Sequence, residues 1–573
     1  MRMGRAGVCG AVLLMGLGGA WGWAQGQGNG QANPQANTQA NQENKTPAST
    51  PTNPQTNTPA NGQSSPNANP QTTGQANTQA NGQVPTIEVT SRLVFLDVTV
   101  VDKKGRPVTT GLTKDDFTIT ENREPQKIFS FEAPEVHTLR GRSAENANGE
   151  APVTIIVLDE LDSSFEDFAY YRYKVQRYLE AEPSRLRSPA EMMVVGNESL
   201  ELVQGFTRNR EDLVEALKHL PPVLPYKQMN GAFWAERFTQ SMRALQEIAL
   251  DNRGVPGRKN ILWMGRGGPA INTSGWPAGV QEEVLAYVHA TTNLLVDARA
   301  TLFVIYPGLS AGAGVGGLSA MDAGIDLGDN DDPFAGDINF GVFVDETGGK
   351  LFYNRNDLDG LMREAERLGS EYYTLTYQPH NSDDNGRFER IRVTLRDPNL
   401  RALTKAGYFA PDAKSKVSPE QRAMWNLAAA VQSRVPFDAL GVSIGGVVRH
   451  PDARAVELRV VIQPKDLEWL ADSDGKNSLD LVLAAASMNG RRDILASRMQ
   501  HWRLESPMSL EQLKTKALAM KVTLRVPKRT ASVRVVVQAT AGERMGTAEV
   551  TRKTIDAAPA EPTPQPQLTT GSR

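Results

Sequence analysis

A β-branched run, Val153-Thr154-Ile155-Ile156-Val157-Leu158, opens into the acidic, hydroxyl-bearing segment Asp159-Glu160-Leu161-Asp162-Ser163-Ser164. Carboxylate and hydroxyl oxygens are the hard donors that Mg²⁺ or Ca²⁺ takes. An apolar strand running into such a loop is also where open α/β sheets build ligand sites, outside the carboxyl ends of their strands. Asp159 and Ser163 are therefore the candidate metal ligands, and Asp162 and Ser164 stand beside them. A second candidate segment, Gly265-Arg266-Gly267-Gly268, follows the apolar run Lys259–Met264 and brings a cation to a strand end.

Other chemistry-bearing patterns are weaker. Gly312-Ala313-Gly314-Val315-Gly316-Gly317 matches a dinucleotide-binding pattern in letters. It stands some residues after its nearest strand and no clear helix follows, so a pyrophosphate would find no helix N-terminus there. Asp326, Asp329, Asp331 and Asp332 crowd the stretch Asp322–Asp337 without EF-hand spacing, which reads as an exposed loop. The six histidines, His137, His219, His289, His380, His450 and His501, form no zinc-ligand pair, and no nucleophile signature accompanies them or Ser274. The tyrosines Tyr170, Tyr171 and Tyr173, beside Arg172, Lys174 and Arg177, fit a helix with one packed and one solvated face. No enzymatic activity is expected.

The elements that must hold these residues alternate between Ala151 and about Tyr377. Strand Val153–Leu158 precedes helix Phe165–Ala181, and strands Met192–Val195 and Leu200–Phe206 follow. Asn209 caps helix Arg210–Leu220, and a long helix Phe233–Asn252 leads to strand Lys259–Met264. Helix Glu282–Arg299, strand Thr301–Tyr306, strand Lys350–Tyr353, helix Leu358–Gly369 and strand Tyr372–Tyr377 close the unit. Such alternation predicts a doubly wound, mostly parallel sheet with helices on both faces. Upstream, Leu93–Asp102, Asp115–Asn122 and Gln126–Phe131 predict a small β unit. Downstream, Arg387–Leu395 alternates with period two, helix Pro419–Ser433 follows, and the runs Ala455–Ile462, Leu479–Ala486, Val522–Val526 and Ser532–Gln538 predict a C-terminal β-sandwich-like domain.

The chain has 573 residues and a formal charge of −3, with 22% charged residues, so no nucleic-acid surface is expected. Arg2 and Arg5, the apolar stretch Val8–Leu17 and Gly22-Trp23-Ala24 read as a secretory signal cleaved after Ala24. That apolar stretch is too short for a membrane span. The one cysteine, Cys9, falls inside it, so the exported chain is expected to carry neither disulfide nor thiol nucleophile. The expected divisions are a signal peptide over 1–24, a disordered Gln/Asn/Pro-rich linker over 25–85 and a small β unit over 86–140. An α/β unit with a closing β segment over 150–411, a β domain over 416–556 and a disordered tail over 557–573 complete the chain.

The order of several segments resembles the secreted von Willebrand factor A (VWFA)-related proteins of acidobacteria. These segments are Leu96-Asp97-Val98-Thr99-Val100 with Gly105, Leu112 with Asp116-Phe117, Asn122 with Gln126, the Asp159 strand end, Phe206-Thr207 and Gly257-Arg258-Lys259. Thr347-Gly348-Gly349-Lys350, Tyr372–Pro379 and Gly407–Pro411 extend the match across about residues 88 to 411. The resemblance implies a type A domain, many of which hold a metal through Asp-x-Ser-x-Ser, a Thr from a second loop and an Asp from a third, and capture a partner carboxylate on it.

The residues of this chain depart from that pattern. Asp159 and Ser163 fit its first and fifth positions, but Leu161 stands at the third; a shifted register would use Asp162, Ser164 and Glu166. The second-loop segment Pro221–Lys227 supplies no Thr, and Arg266 stands where the third-loop acid belongs. A cation there repels a bound ion, and could instead pair with Asp159 or Asp162. The expectation is therefore a degenerate metal-ion-dependent adhesion site with no cofactor, Mg²⁺ or Ca²⁺ being the ions it would take. The exported protein, periplasmic or secreted, is expected to recognise a protein partner through Asp159–Ser164, Pro221–Asn230 and Arg266–Pro269. The alternative is a cell-envelope assembly or scaffold role in which the C-terminal β domain binds.

Overall fold

In the computed structural model, residues 93–137, 151–161, 163–220, 231–273, 275–307, 332–334, 337–353, 355–380, 384–415, 417–471, 476–540 and 543–561 are described. The expected signal peptide, the linker, Asp162, Pro221–Asn230, Ser274, Gly312–Gly317 and the tail beyond 561 lie outside them.

Four strands come first: β1 (Val94–Val101), β2 (Phe117–Glu121), β3 (Glu124–Gln126) and β4 (Ile128–Glu132). Then follow β5 (Val153–Asp159), α1 (Phe165–Ala181), β6 (Arg185–Val195), β7 (Leu200–Asn209), α2 (Arg210–Lys218), α3 (Gly231–Asn252) and β8 (Lys259–Met264). The short β9 (Ile271–Asn272), α4 (Ala278–Asp297), β10 (Ala300–Tyr306), β11 (Asp337–Ile338), α5 (Phe340–Glu346), β12 (Lys350–Tyr353) and α6 (Leu358–Ser370) complete this part.

One six-stranded sheet runs through it in the order β12-β10-β8-β5-β6-β7. All neighbours are parallel except the antiparallel edge pair β6/β7. Strands covered on both faces need apolar side chains throughout, and β5, β8 and β10 supply them. Ile155, Val157, Ile261, Trp263, Leu302 and Val304 face one side, with Phe238, Met242 and Ile248 of α3, Val288 and Leu295 of α4, and Phe343 of α5. Ile156, Leu158, Leu262, Met264, Phe303 and Ile305 face the other, with Phe168, Tyr171 and Val175 of α1, Leu213 and Leu217 of α2, and Leu361 and Met362 of α6. The period-two alternation of each strand thus feeds two separate cores.

The next strands correct an expectation. β13 (Tyr373–Tyr377) does not close the parallel sheet; it pairs antiparallel with β1 on one side and β4 on the other. With β14 (Phe388–Leu395), β15 (Arg401–Leu403) and β16 (Gly407–Phe409) it completes the sheets β15-β1-β13-β4 and β16-β14-β2-β3. Leu96, Val98, Phe117, Ile119, Tyr373, Leu375, Tyr377, Ile391 and Tyr408 share their core. The α/β part is therefore an insertion between two halves of one β unit. The two are fastened by Arg258, which is buried and donates to Thr99 Oγ1 (2.8 Å) and Thr301 Oγ1 (2.9 Å), and by Arg299, which pairs with Asp97.

Helix α7 (Pro419–Gln432), capped by Ser418, leads to β17 (Val442–His450), β18 (Ala455–Ile462), β19 (Leu470–Ala471), β20 (Asn477–Met488), β21 (Ile494–Ser506), the one-turn α8 (Leu510–Leu513), β22 (Leu518–Arg525), β23 (Ser532–Ala539), β24 (Met545–Thr551) and α9 (Arg552–Ala557). These form two antiparallel sheets, β17-β18-β22 and a five-stranded one built on β19-β20-β23-β24 with β21 on β20. Leu458, Val460, Leu481, Leu483, Val522, Val535 and Val537, from both sheets, belong to one buried core. Residues 558–561, expected to fray, instead run beside β17: Arg449 donates its amide to the Pro559 carbonyl (2.8 Å) and accepts from Glu561 (2.9 Å).

Candidate functional site

Two chain reversals meet at the carboxyl end of the six-stranded sheet. From β5 the chain moves to β6 and β7 on one side, then returns to β8 on the other, so the crevice between β5 and β8 is the topological switch point. Asp159 ends β5 there, wholly buried, and Gly265–Gly268 leaves β8 directly opposite.

Asp159 is held by donors of the protein itself. Its Oδ2 accepts from the Trp263 indole Nε1 at 3.0 Å and from the Gly267 amide at 3.1 Å. That oxygen therefore takes two N–H donors of the protein itself. The loop that delivers the second donor has no room for a side chain at Gly265 or Gly267. A Cβ on Gly265 (φ 150°) would stand 2.4 Å from the Asp159 Cβ, and one on Gly267 (φ 77°) 2.2 Å from the Phe340 ring. Both angles also disfavour any residue with a Cβ.

The neighbouring residues of the acidic segment have structural partners too. Leu161 is 3% exposed and packs in the core of Val195, Leu200, Phe238 and Met242, its amide donating to the Val195 carbonyl (3.1 Å). Its burial sets the register of the segment: the position where an ion site needs an oxygen is an apolar anchor. Ser163 Oγ donates to the Asp159 carbonyl at 2.5 Å. Ser164 is the N-cap of α1, its Oγ accepting from the Asp167 amide at 3.1 Å, a role Ser is suited to because it satisfies an orphan helix N–H. Phe165, the next residue, is half exposed.

Arg266 lies on the Tyr306 side chain at the end of β10, Nη2 donating to its hydroxyl (2.9 Å) and the guanidinium carbon 5.2 Å from the ring centroid. Tyr171 of α1 is buried below; burial, then the Asp167 and Asp159 carboxylates, push its hydroxyl well up, so it stays neutral. Burial and the nearby Glu201 raise Glu160, with Arg172 opposing.

Of the residues expected at the site, Asp159, Ser163, Ser164 and Arg266 surround this strand end, while Asp162 and the Pro221–Asn230 segment lie outside the described residues. Trp263 and Tyr306 were not anticipated, and Gly267 was expected on this face but not as an amide donor to Asp159. A buried indole N–H needs an acceptor, and that requirement was the available signal for Trp263. Elsewhere, His289 pairs with Asp332 (2.8 Å) and stacks on Phe409 at 3.7 Å, and Asp332 also accepts from the Phe334 amide (2.9 Å). His137 stacks on Tyr372, and His450 contacts the Glu561 carbonyl. Among the described residues, no group of three or more His, Cys, Asp or Glu side chains is placed to hold a metal ion, and no helix is long and apolar enough to cross a membrane.

No family model and no curated protein matches this chain. Solved structures give weak likenesses, each covering 38% of the chain. One is proximal thread matrix protein 1 from the mussel byssus, at 12% identity, a TM-score of 0.22 and 47% of that chain's length, so this protein spans about half of it. Others are the conserved hypothetical protein BatB from Bacteroides thetaiotaomicron (12% identity, TM-score 0.22, 97% of that chain) and the SpRpn10 VWA domain (14%, 0.20, 97%).

Proposed function

We propose that this is an exported, non-enzymatic recognition protein whose inserted α/β part is VWA-like and binds a protein partner at the β5/β8 strand-end face. The observation that carries the reading is the Asp159 carboxylate at the switch point, closed by Trp263 and Gly267. The adhesion-site position is kept while its coordination chemistry is replaced by N–H donors, which is the form a degenerate metal site takes. Leu161 in the core, and Ser163 and Ser164 engaged with the backbone, support the same reading. The half-exposed Phe165 and the Arg266–Tyr306 pair give this face an aromatic and an arginine, the residue types that anchor protein interfaces. Partner binding is metal-independent in this reading, and the protein acts in the periplasm or outside the cell after losing residues 1–24.

A second reading assigns binding to the C-terminal sheets, proposed to form a β-sandwich-like domain, with the α/β part as structural spacer in an envelope assembly. The broad two-sheet core and the pinned 558–561 segment favour it. Crosslinked capture from the exporting cell separates the two. Arg266→Ala with Phe165→Ala is expected to abolish capture of the partner under the first reading, with and without EDTA. Undiminished capture by that variant would refute it and favour the second.

A further inference from the structure

Three carboxyl groups meet where the α/β part joins the C-terminal β part. Glu191 of β6 is 3% exposed, and its Oε1 is sealed from water with no hydrogen-bond partner. Asp251, in the last turn of α3, is 4% exposed and accepts the Asp438 backbone amide on Oδ1 at 3.0 Å. Asp438 lies between α7 and β17, its carboxyl at the exposed rim.

Every neighbouring element brings charge that is already engaged. On α3, Arg243 bonds Glu247 (2.8 Å), which also accepts from Ser433 Oγ (2.6 Å). Arg534 of β23 bonds Glu549 (3.3 Å), Thr547 and the Val435 carbonyl. Arg544 of the β23–β24 turn reaches Glu468 (2.9 Å) and the Gly254 carbonyl (2.8 Å), and Arg253 pairs with Asp297 and Glu543. Beyond β18, Asp466 accepts the Gly441 amide (3.1 Å), with Lys465 beside Asp438. No described group is placed to hold a metal ion here.

We propose that Glu191 and Asp251 are a proton-held fastener of this joint: it is tight while the pair keeps a proton and loosens as alkali removes it. Two sealed carboxylates with no ion between them repel each other and lose hydration, so a proton is the charge-balancing species that fits. Burial first holds both groups well above the ordinary carboxyl range; the carboxylates of Asp251 and then Asp438 add to it at Glu191, and that of Asp438 at Asp251, where the Asp438 amide and Arg534 oppose. The folded pair therefore binds more protons than the unfolded one, and joint stability falls as pH rises through the folded values.

Hydrogen exchange of the amides in 251–258 and 433–441, corrected for intrinsic rates, tests this on the full chain between pH 5.5 and 9. Protection in the wild type should fall by up to about tenfold per pH unit for each proton released. Glu191→Gln with Asp251→Asn should change less than about twofold over the same range. Asp438→Asn, which keeps the backbone donor, should fold as the wild type does and flatten the profile in part. Three outcomes would overturn the proposal: a flat wild-type profile, an unchanged slope in the variants, or recovery of protection at pH 8.5 on adding Ca²⁺ or Mg²⁺, which would make the cluster a cation site.

Discussion

Trp263 sits opposite Val157 in the parallel pairing of β8 with β5, yet its indole reaches forward to Asp159, two residues along the neighbouring strand. One side chain therefore ties the strand register to the strand-end carboxylate. Replacing Asp159 by Ala leaves the Trp263 N–H and the Gly267 amide without their acceptor. A loss of about 1–3 kcal/mol per stranded donor is expected, read from the denaturant midpoint, whereas Asp159→Asn, which keeps an acceptor oxygen, should lose less. Equal losses for the two would show that the acceptor role is unimportant.

Metal addition gives a separate expectation. A ligand at a hundred times its Kd stabilises the native state by about 2.7 kcal/mol. With Asp159 closed by N–H donors, millimolar Mg²⁺, Mn²⁺ or Ca²⁺ should leave the melting temperature unchanged, and EDTA should do nothing. A shift of several degrees in either titration contradicts the metal-independent reading.

Two buried groups away from the site set opposite slopes in stability against pH. Burial raises Glu346 of α5 to about 8, with Asp345 and Asp332 adding and Arg390 opposing. Its protonated form is favoured on folding, so stability falls from the unfolded carboxyl range up to about pH 8. Burial lowers Lys259, at the start of β8, to about 7. There the unfolded chain binds the extra proton, and stability rises from about pH 7 towards the unfolded lysine value. In the Glu191→Gln/Asp251→Asn background, where the joint adds no slope of its own, thermal melts should therefore show a shallow trough near pH 7–8. Glu346→Gln removes its acid-side descent and Lys259→Met its alkaline-side rise; a variant that leaves its own limb intact refutes that assignment.

The glycine loop makes a packing prediction. Gly267→Ala drives a methyl into Phe340 at a positive φ, and a loss of at least about 2 kcal/mol is expected from overlap and strain together. Phe340→Ala leaves a cavity and is costly alone. Because the methyl and the ring contend for one space, the double variant should lose less than the two single losses combined. Strict additivity in a denaturant cycle would show that the clash is relieved by backbone movement.

Much of the α/β part was legible because its patterns were strong. Helix Phe165–Ala181 and strands Lys259–Met264 and Lys350–Tyr353 have the bounds that capping and apolar periodicity predict. The partner of Tyr373–Tyr377 was not legible. A strand buried on both faces reads the same whether it lies in a parallel sheet or between two antiparallel neighbours, and only the pairing with β1 and β4 distinguishes them. Strand β21 carries Arg498, Gln500, His501 and Arg503 on a half-solvated surface, which masks its alternation. At the site, Asp159, Ser163, Ser164 and Arg266 were visible as residue types. The Gly267 amide was not, since a backbone donor has no side-chain signature, and Trp263 read as one more apolar residue of a core strand.

The insertion of the α/β part has a consequence for how the molecule comes into being. β13 is the central plank between β1 and β4, and it leaves the ribosome about 240 residues after β4 does. Strands β1 and β4 have no partner for the edges that face β13 until then, and β2, already paired with β3, waits for β14, so strands made early are among the last to be finished. Closing so long a loop is slow until the inserted sheet has folded and brought its two ends together. The inserted sheet is thus the template on which the surrounding β unit is assembled, and a lesion that delays it will leave two unpaired strand edges exposed to other chains.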